Sequence, residues 1–323
     1  MRRFEILARL ACVWALAQSP ADAYEASKGA FSRPAKVEQA GTKESLNPAL
    51  FKVVGARSTV YLLGSIHVLP VGFVWRTSAL DAAINTADVF VFETNLDFST
   101  AEFHYYMDNH GYLPRGQTLH KMLSPPALKN YVSLIHDMHI DPDKLDYLRP
   151  GVAVFLLQRT FIGAHSSVPL VPGVDATLIH YAKSNGKQLA YLESLQSQFE
   201  ILTALGGGSD VGVLEKILTS RSKNSNEYQT MLAAWTRGDL AKLASLEDAD
   251  EDPTEQALML DNRNKAWLPR IEDMLRYPQT YLITVGALHL TGPKGVIGLL
   301  CARHWKVQRV QTGPTPPPPA CPS

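Results

Sequence analysis

Two stretches decide the reading: Tyr61-Leu62-Leu63-Gly64-Ser65-Ile66-His67 and Leu282-Ile283-Thr284-Val285-Gly286-Ala287-Leu288-His289. Each is an apolar run followed by a glycine, a small residue, an apolar residue and a histidine. Continuous apolar runs of this length suit central strands of a sheet covered on both faces. Turn-prone residues follow at once, Pro70 and Gly72 in the first copy, Gly292 and Pro293 in the second. The spacing therefore puts each histidine at a strand's carboxyl end, the edge where open α/β sheets bind ligands. Strand alternation puts Ser65 on the face of His67 and Ala287 on that of His289. Small neighbours leave room beside each imidazole for a metal ion or a substrate. Two buried histidines capping two strands would give the same pattern.

Working outward, Phe51–Val54 and Thr59–Ile66 read as a hairpin turned at residues 55–58. A helix from Trp75 to Ala87 and a strand from Asp88 to Asn95 complete a strand–helix–strand unit that brings Glu93 to the same edge as His67. Residues 99–158 read as helices broken by Gly111, Pro114, Pro125-Pro126, Pro142 and Pro150. They carry five of the ten histidines, mostly among polar residues, and His136 and His139 could share one helix face. The pattern restarts at Pro172-Gly173-Val174-Asp175, with Asp175 at the N-cap position of a helix over 176–184. A strand then runs to Glu193, a second carboxylate closing a strand. After a helix over 195–205, Gly206-Gly207-Gly208 lacks the Lys-Ser/Thr of a phosphate loop and reads as a cap and linker. Further helices occupy 210–277, the last carrying Arg263. A strand over 280–289, a helix over 295–302 and a strand over 305–310 close the fold.

At the amino end, Met1-Arg2-Arg3, an apolar segment from Leu10 to Ala17 and Ala21-Asp22-Ala23 form a cleavable export signal over 1–23, implying a periplasmic or secreted protein. Residues 24–48 read as a flexible leader, 49–311 as the folded α/β domain, and 312–323 as a proline-rich tail. No stretch approaches the roughly 20 apolar residues of a membrane helix, so no integral membrane segment is expected after signal cleavage. Lys+Arg and Asp+Glu are both 31, which removes any overall bias towards nucleic acid. Cleavage would remove Cys12 and leave Cys301 and Cys321, either paired or with Cys301 a buried thiol.

Six pieces in order resemble the TraB/GumN family, related to PrgY and to the Tiki metalloproteases: Leu-Leu-Gly-Ser-Ile-His (62–67), Val-Phe-Glu-Thr (91–94), Pro-Gly-Val-Asp (172–175), Leu-Glu-Ser (192–194), Arg-Asn (263–264) with Trp267, and Val-Gly-Ala-Leu-His-Leu-Thr-Gly (285–292). Ser65 stands where the family usually has Thr, and His304-Trp305 where a Gly-aromatic pair is frequent. The resemblance implies an α/β fold of two related halves around a mixed sheet, flanked by helices and carrying a large helical insertion. In Tiki-like members the two histidines and a glutamate belong to a divalent-metal peptidase site, which makes His67, Glu93 and His289 the expected metal ligands. Two imidazoles and a carboxylate suit Mn, Co, Zn or Fe. The remaining roles follow: Glu193 as general base or fourth ligand, Arg263 stabilising an oxyanion, and Asp175 orienting a histidine. The expected substrate is a peptide or protein. Two other classes stay open, a non-catalytic regulator that binds peptide and a periplasmic protein binding haem or another ligand.

Overall fold

The computed structural model describes residues 46–95, 97, 99–137, 140–164, 170–205, 211–220, 227–247, 253–313 and 320–321, without the side chains of 158–164, 220, 227 and 247. The expected signal peptide, most of the leader, His139, Gly206–Gly208, most of the acidic run 247–252 and most of the tail lie outside these residues.

Eight strands are present among the described residues: β1 Leu50–Val54, β2 Thr59–Ser65, β3 Val68–Pro70, β4 Val89–Phe92, β5 Leu170–Pro172, β6 Gln188–Tyr191, β7 Thr280–Gly286 and β8 Val307–Arg309. Six form one mixed sheet in the order β6-β4-β7-β2-β1-β8, and β3 pairs antiparallel with β5. The four strands β6, β4, β7 and β2 are parallel, whereas β1 runs antiparallel to β2 and β8. The expected hairpin is present: Gly55 N–H donates to Ser58 O and returns β1 into β2. β7, drawn from near the end of the chain, lies between β2 and β4. The two histidine strands are therefore neighbours, in register from Thr59↔Thr280 to Ser65↔Gly286.

The chain falls into two compact units. The sheet unit holds both sheets and comprises the described residues from 46 to Glu93, Leu170–Leu192 and those after Asn226. One face of its sheet (Val60, Leu62, Val89, Val91, Tyr281, Ile283, Val285) shares a core with Trp267, Leu268 and Ile271 of helix Asn262–Met274 and with Val296, Ile297 and Leu300 of helix Val296–Ala302. Helix Val174–Ser184 touches the sheet through Tyr181 and Phe90, and the buried Trp235 donates its indole N–H to Gly64 O. Cys301 and Cys321 form a disulfide, which decides between the two states open in the sequence.

The helical unit comprises Thr94–Pro169 and Glu193–Ser225. Its helices include Ala101–Tyr106, Pro125–Asp137, Pro150–Ala164, Leu195–Ala204 and Gly212–Ser220. Phe103, Met107, Leu119, Tyr131, Leu134, Leu145, Leu148, Val152, Leu214 and Leu218 fill its core. His120, one of the five histidines of this stretch, is half exposed, and its Nδ1 meets the buried Asp146.

Strand limits differ from the sequence expectation where polar chemistry takes over from apolar pairing. β7 stops at Gly286, and Ala287–Leu290 winds into a 3₁₀ turn, so His289 does not lie on a strand and does not alternate with Ala287. β4 stops at Phe92 and β6 at Tyr191, leaving Glu93 one residue and Glu193 two residues beyond. Asp175 is not an N-cap: Gly173 is, and Asp175 lies inside the first turn.

Candidate functional site

Four backbone arrangements in the sheet unit bring their side chains together. His67 follows β2, and its backbone is clamped by the Pro-Gly-Val-Asp segment: Gly173 N–H donates to His67 O and Val174 N–H to Ile66 O. Gly173 is required there, because a Cβ would stand 1.9 Å from Ile66 O. The next turn then carries Asp175, whose Oδ1 accepts from His67 Nδ1 at 3.2 Å. Glu93 leaves β4, and Oε1 accepts from Gly286 N–H at 2.7 Å. His289 projects from the 3₁₀ turn, where its ring lies 4.4 Å from that of Trp267. Arg263 and Asn264 open helix Asn262–Met274 directly after a π-helical turn, Ala257–Asp261, a distortion common at functional sites.

Arg263 is the hub of the cluster. One Nη2–H donates to Glu93 Oε2 at 2.6 Å, while Nη1 donates to Met259 O and, at 3.2 Å, to His289 Nε2. Its guanidinium also lies over Trp267, at 4.8 Å from the ring centre. A guanidinium only donates, so His289 Nε2 is an acceptor and its proton sits on Nδ1. That Nδ1 donates to Asn264 Oδ1 at 2.7 Å. Both histidines thus share one arrangement: Nδ1 is held by an outer oxygen and Nε2 is turned inward.

Gly286 marks the point where they converge. A methyl at its Cβ position would lie 3.5 Å from Glu93 Oε1, 3.6 Å from His289 Cδ2 and 3.8 Å from His67 Nε2. Three chemically active side chains therefore surround a space the size of one heavy atom, kept open by a glycine.

The electrostatics follow from burial. Burial pushes His289 down to about 3, so its ring is neutral at pH 7. For Glu93, burial alone would raise the carboxyl. The opposing influence of His289, Arg263 and His67, with the Gly286 N–H, holds it down to about 2. With His289 neutral, Arg263 is the principal counter-charge. The carboxylate of Asp175 raises His67 to about 9. Solvent reaches 60% of that side chain, and screening moderates the rise.

Of the six residues expected from the sequence, His67, Glu93, His289, Arg263 and Asp175 form this cluster. Glu193, nine-tenths buried, belongs to the helical unit. Asn264 and Gly286 hold positions in the cluster that the sequence reading left unassigned, although both lie inside quoted pieces, Arg-Asn and Val-Gly-Ala-Leu-His. Among the described residues, no group of three or more His, Cys, Asp or Glu side chains is arranged to hold a metal ion as it stands. Arg263 bonds both the His289 lone pair and one oxygen of Glu93.

No protein of curated function matches the chain, and no solved structure does. The family model described as the TraB/PrgY/gumN family matches residues 49–309, which include every residue of the cluster, and the chain belongs to that family.

Proposed function

We propose that this protein is an exported, metal-dependent hydrolase of peptide or amide bonds, with His67, Glu93 and His289 holding a divalent ion. The observation that carries the reading is the matched arrangement of the two imidazoles around the Gly286 cradle. In metal sites a ligating histidine gives its second ring nitrogen to a carboxylate or carbonyl, which fixes tautomer and orientation. Asp175 does this for His67 and Asn264 for His289. When bound, a divalent ion supplies Lewis acidity and makes a bound water acidic near neutral pH.

The protein's own residues define the rest. His289 is already neutral and presents Nε2 without first losing a proton. Glu93 is ionised at working pH, and Gly286 N–H fixes its Oε1 beside the cradle. The Arg263 bond to His289 Nε2 uses the only lone pair on that nitrogen, so it and metal ligation exclude each other. Once displaced from that nitrogen, Nη1 turns a cationic N–H towards the reaction centre, suited to charge developing on a substrate oxygen. Export is supported by the amino-terminal signal pattern and by the Cys301–Cys321 disulfide, since such bonds persist in oxidising compartments.

Elemental analysis of the purified protein, with His67→Ala and His289→Ala beside it, tests the reading. One divalent ion per chain in the wild type and its loss in both variants are expected. Equal metal content in all three would refute it. The intact Arg263–His289 bond favours one rival, a regulator that binds peptide without turnover, which would bind its peptide equally well in EDTA.

A further inference from the structure

Two hydroxyls beside this cradle lack a protein partner among the described residues. Ser65 Oγ on β2 and Thr284 Oγ1 on β7 are both buried, and neither has a hydrogen-bond partner among those residues. Ser65 is 4% exposed and Thr284 1%, in strands whose other buried side chains are Val, Leu, Ile and Tyr. Burying an unpaired hydroxyl disfavours the folded state, and buried polar groups lacking a protein partner commonly hold an ordered water.

Register shows that the two act at one place. Ser65 pairs with Gly286 and Leu63 with Thr284, and residues in register on neighbouring strands share a face. Ser65, Thr284 and the Gly286 Cβ direction therefore lie on one face, with Ser65 and Thr284 as diagonal neighbours. With strands about 4.8 Å apart and a rise of about 3.3 Å per residue, the two Cα atoms lie about 8 Å apart, a gap that one water between two hydroxyls bridges. The Gly286 Cβ direction opens on Glu93 Oε1 and His67 Nε2.

We propose that Ser65 and Thr284 jointly hold one ordered water at the inner wall of the cradle, and that Ser65 is a positioning residue acting through that water on whatever group the cradle binds. The ligand class is a single neutral oxygen, donor and acceptor both, which two hydroxyls can satisfy in either sense. The consequence for reactivity rests on the hydrolase reading, whereas the water site itself does not.

Urea unfolding of the metal-free protein in EDTA decides the water site. Ser65→Ala and Thr284→Val should each lower the folding constant about five- to tenfold, by leaving the shared water short of a partner. The double variant should lose less than about twofold beyond the worse single variant, because the two losses concern one water. Ser65→Thr, which keeps the hydroxyl, should stay within about twofold of wild type. Neutral or stabilising single substitutions, or losses that simply multiply, would overturn the proposal. The positioning role is read by water-proton relaxation with Mn²⁺. Ser65→Ala should leave Mn²⁺ binding measurable yet change the relaxation enhancement, and Ser65→Thr should restore it. An unchanged enhancement in Ser65→Ala removes the positioning role. A wild-type protein that binds no Mn²⁺ removes the metal reading alone, and the urea measurement still judges the hydroxyl pair.

Discussion

Replacing Arg263 by Gln separates two jobs that this residue performs in opposite directions. In the metal-free protein its guanidinium offsets the buried charge of Glu93 through the 2.6 Å bond, while Nη1 occupies His289 Nε2. Arg263 is 6% exposed and the Glu93 side chain 21%, so water replaces little of what is lost. Removing one partner of a buried ion pair costs about 3–5 kcal/mol, because the other charge is left uncompensated. Metal binding should respond with the opposite sign. A charge-assisted hydrogen bond is worth about 1.5–3 kcal/mol, and the ion no longer has to break it to reach Nε2. Converted at 1.4 kcal/mol per decade, the variant should bind Mn²⁺ about 10- to 100-fold more tightly than wild type. The assay is calorimetric titration with Mn²⁺ beside urea unfolding with and without the ion. Bound ion should also return much of the lost stability, since a cation again faces Glu93. If Arg263→Gln loses stability and Mn²⁺ affinity together, Arg263 is not competing for the ligand nitrogen and the reasoning fails.

Four further outcomes follow from the same geometry. Gly286→Ala places a methyl in the cradle at ordinary contact distances of 3.5–3.8 Å, so urea stability should hold or rise by about 0.4–1 kcal/mol while Mn²⁺ binding disappears. Asp175→Asn should move the His67 titration, followed by NMR of its ring protons, from about 9 down towards 6.5. Because the folded value is the raised one, the stability due to this pair is complete below pH 6.5. It fades as pH rises through 9, so wild type and variant should converge in alkaline urea melts. Cys301→Ser opens the 20-residue separation closed by the disulfide and should cost about 3 kcal/mol in urea without altering metal uptake. His304→Gly should raise stability by about 1 kcal/mol, read from the urea midpoint. This histidine holds φ 63°, and its N–H and that of Trp305 close the Schellman motif of helix Val296–Ala302 onto Cys301 O and Leu300 O, the position that glycine normally fills.

Much of this architecture is legible in the sequence because local rules and tertiary packing agree. The apolar runs before His67 and His289 become neighbouring central strands, and Gly55 to Ser58 turns the hairpin where turn chemistry requires it. What local rules miss are the last residues of each strand. Beyond Gly286 the alternation rule gives way to a 3₁₀ turn, since the chain must leave the sheet to lay His289 against Trp267 and Asn264, residues about 25 positions earlier in the sequence. Asp175 has the composition of an N-cap, but that position falls to Gly173, which alone tolerates the backbone of Ile66 and His67 at such close range.

Arg263 shows the limit most clearly. Its helix and its residue type are both readable from sequence, and a cation beside two expected ligands invites the role of oxyanion stabiliser. The structure gives it a prior one: holding Glu93 ionised and covering the lone pair of His289 until something displaces it. A single buried cation that neutralises the ligand carboxylate keeps the metal-free cluster from leaving a bare charge inside the sheet unit. If the cluster binds a metal as proposed, the same cation sets a threshold that an incoming ion must exceed. Weakly coordinating ions such as Mg²⁺, which prefer oxygen ligands and keep their water, gain little from an imidazole nitrogen and would not displace it. Ions that accept imidazole would gain from two of them, Zn²⁺ far more than Mn²⁺ along the Irving–Williams order. On the proposed metal-binding reading, Arg263 would act as a filter as well as a counter-charge, a pairing of roles that follows from the positions of Nη1 and Nη2.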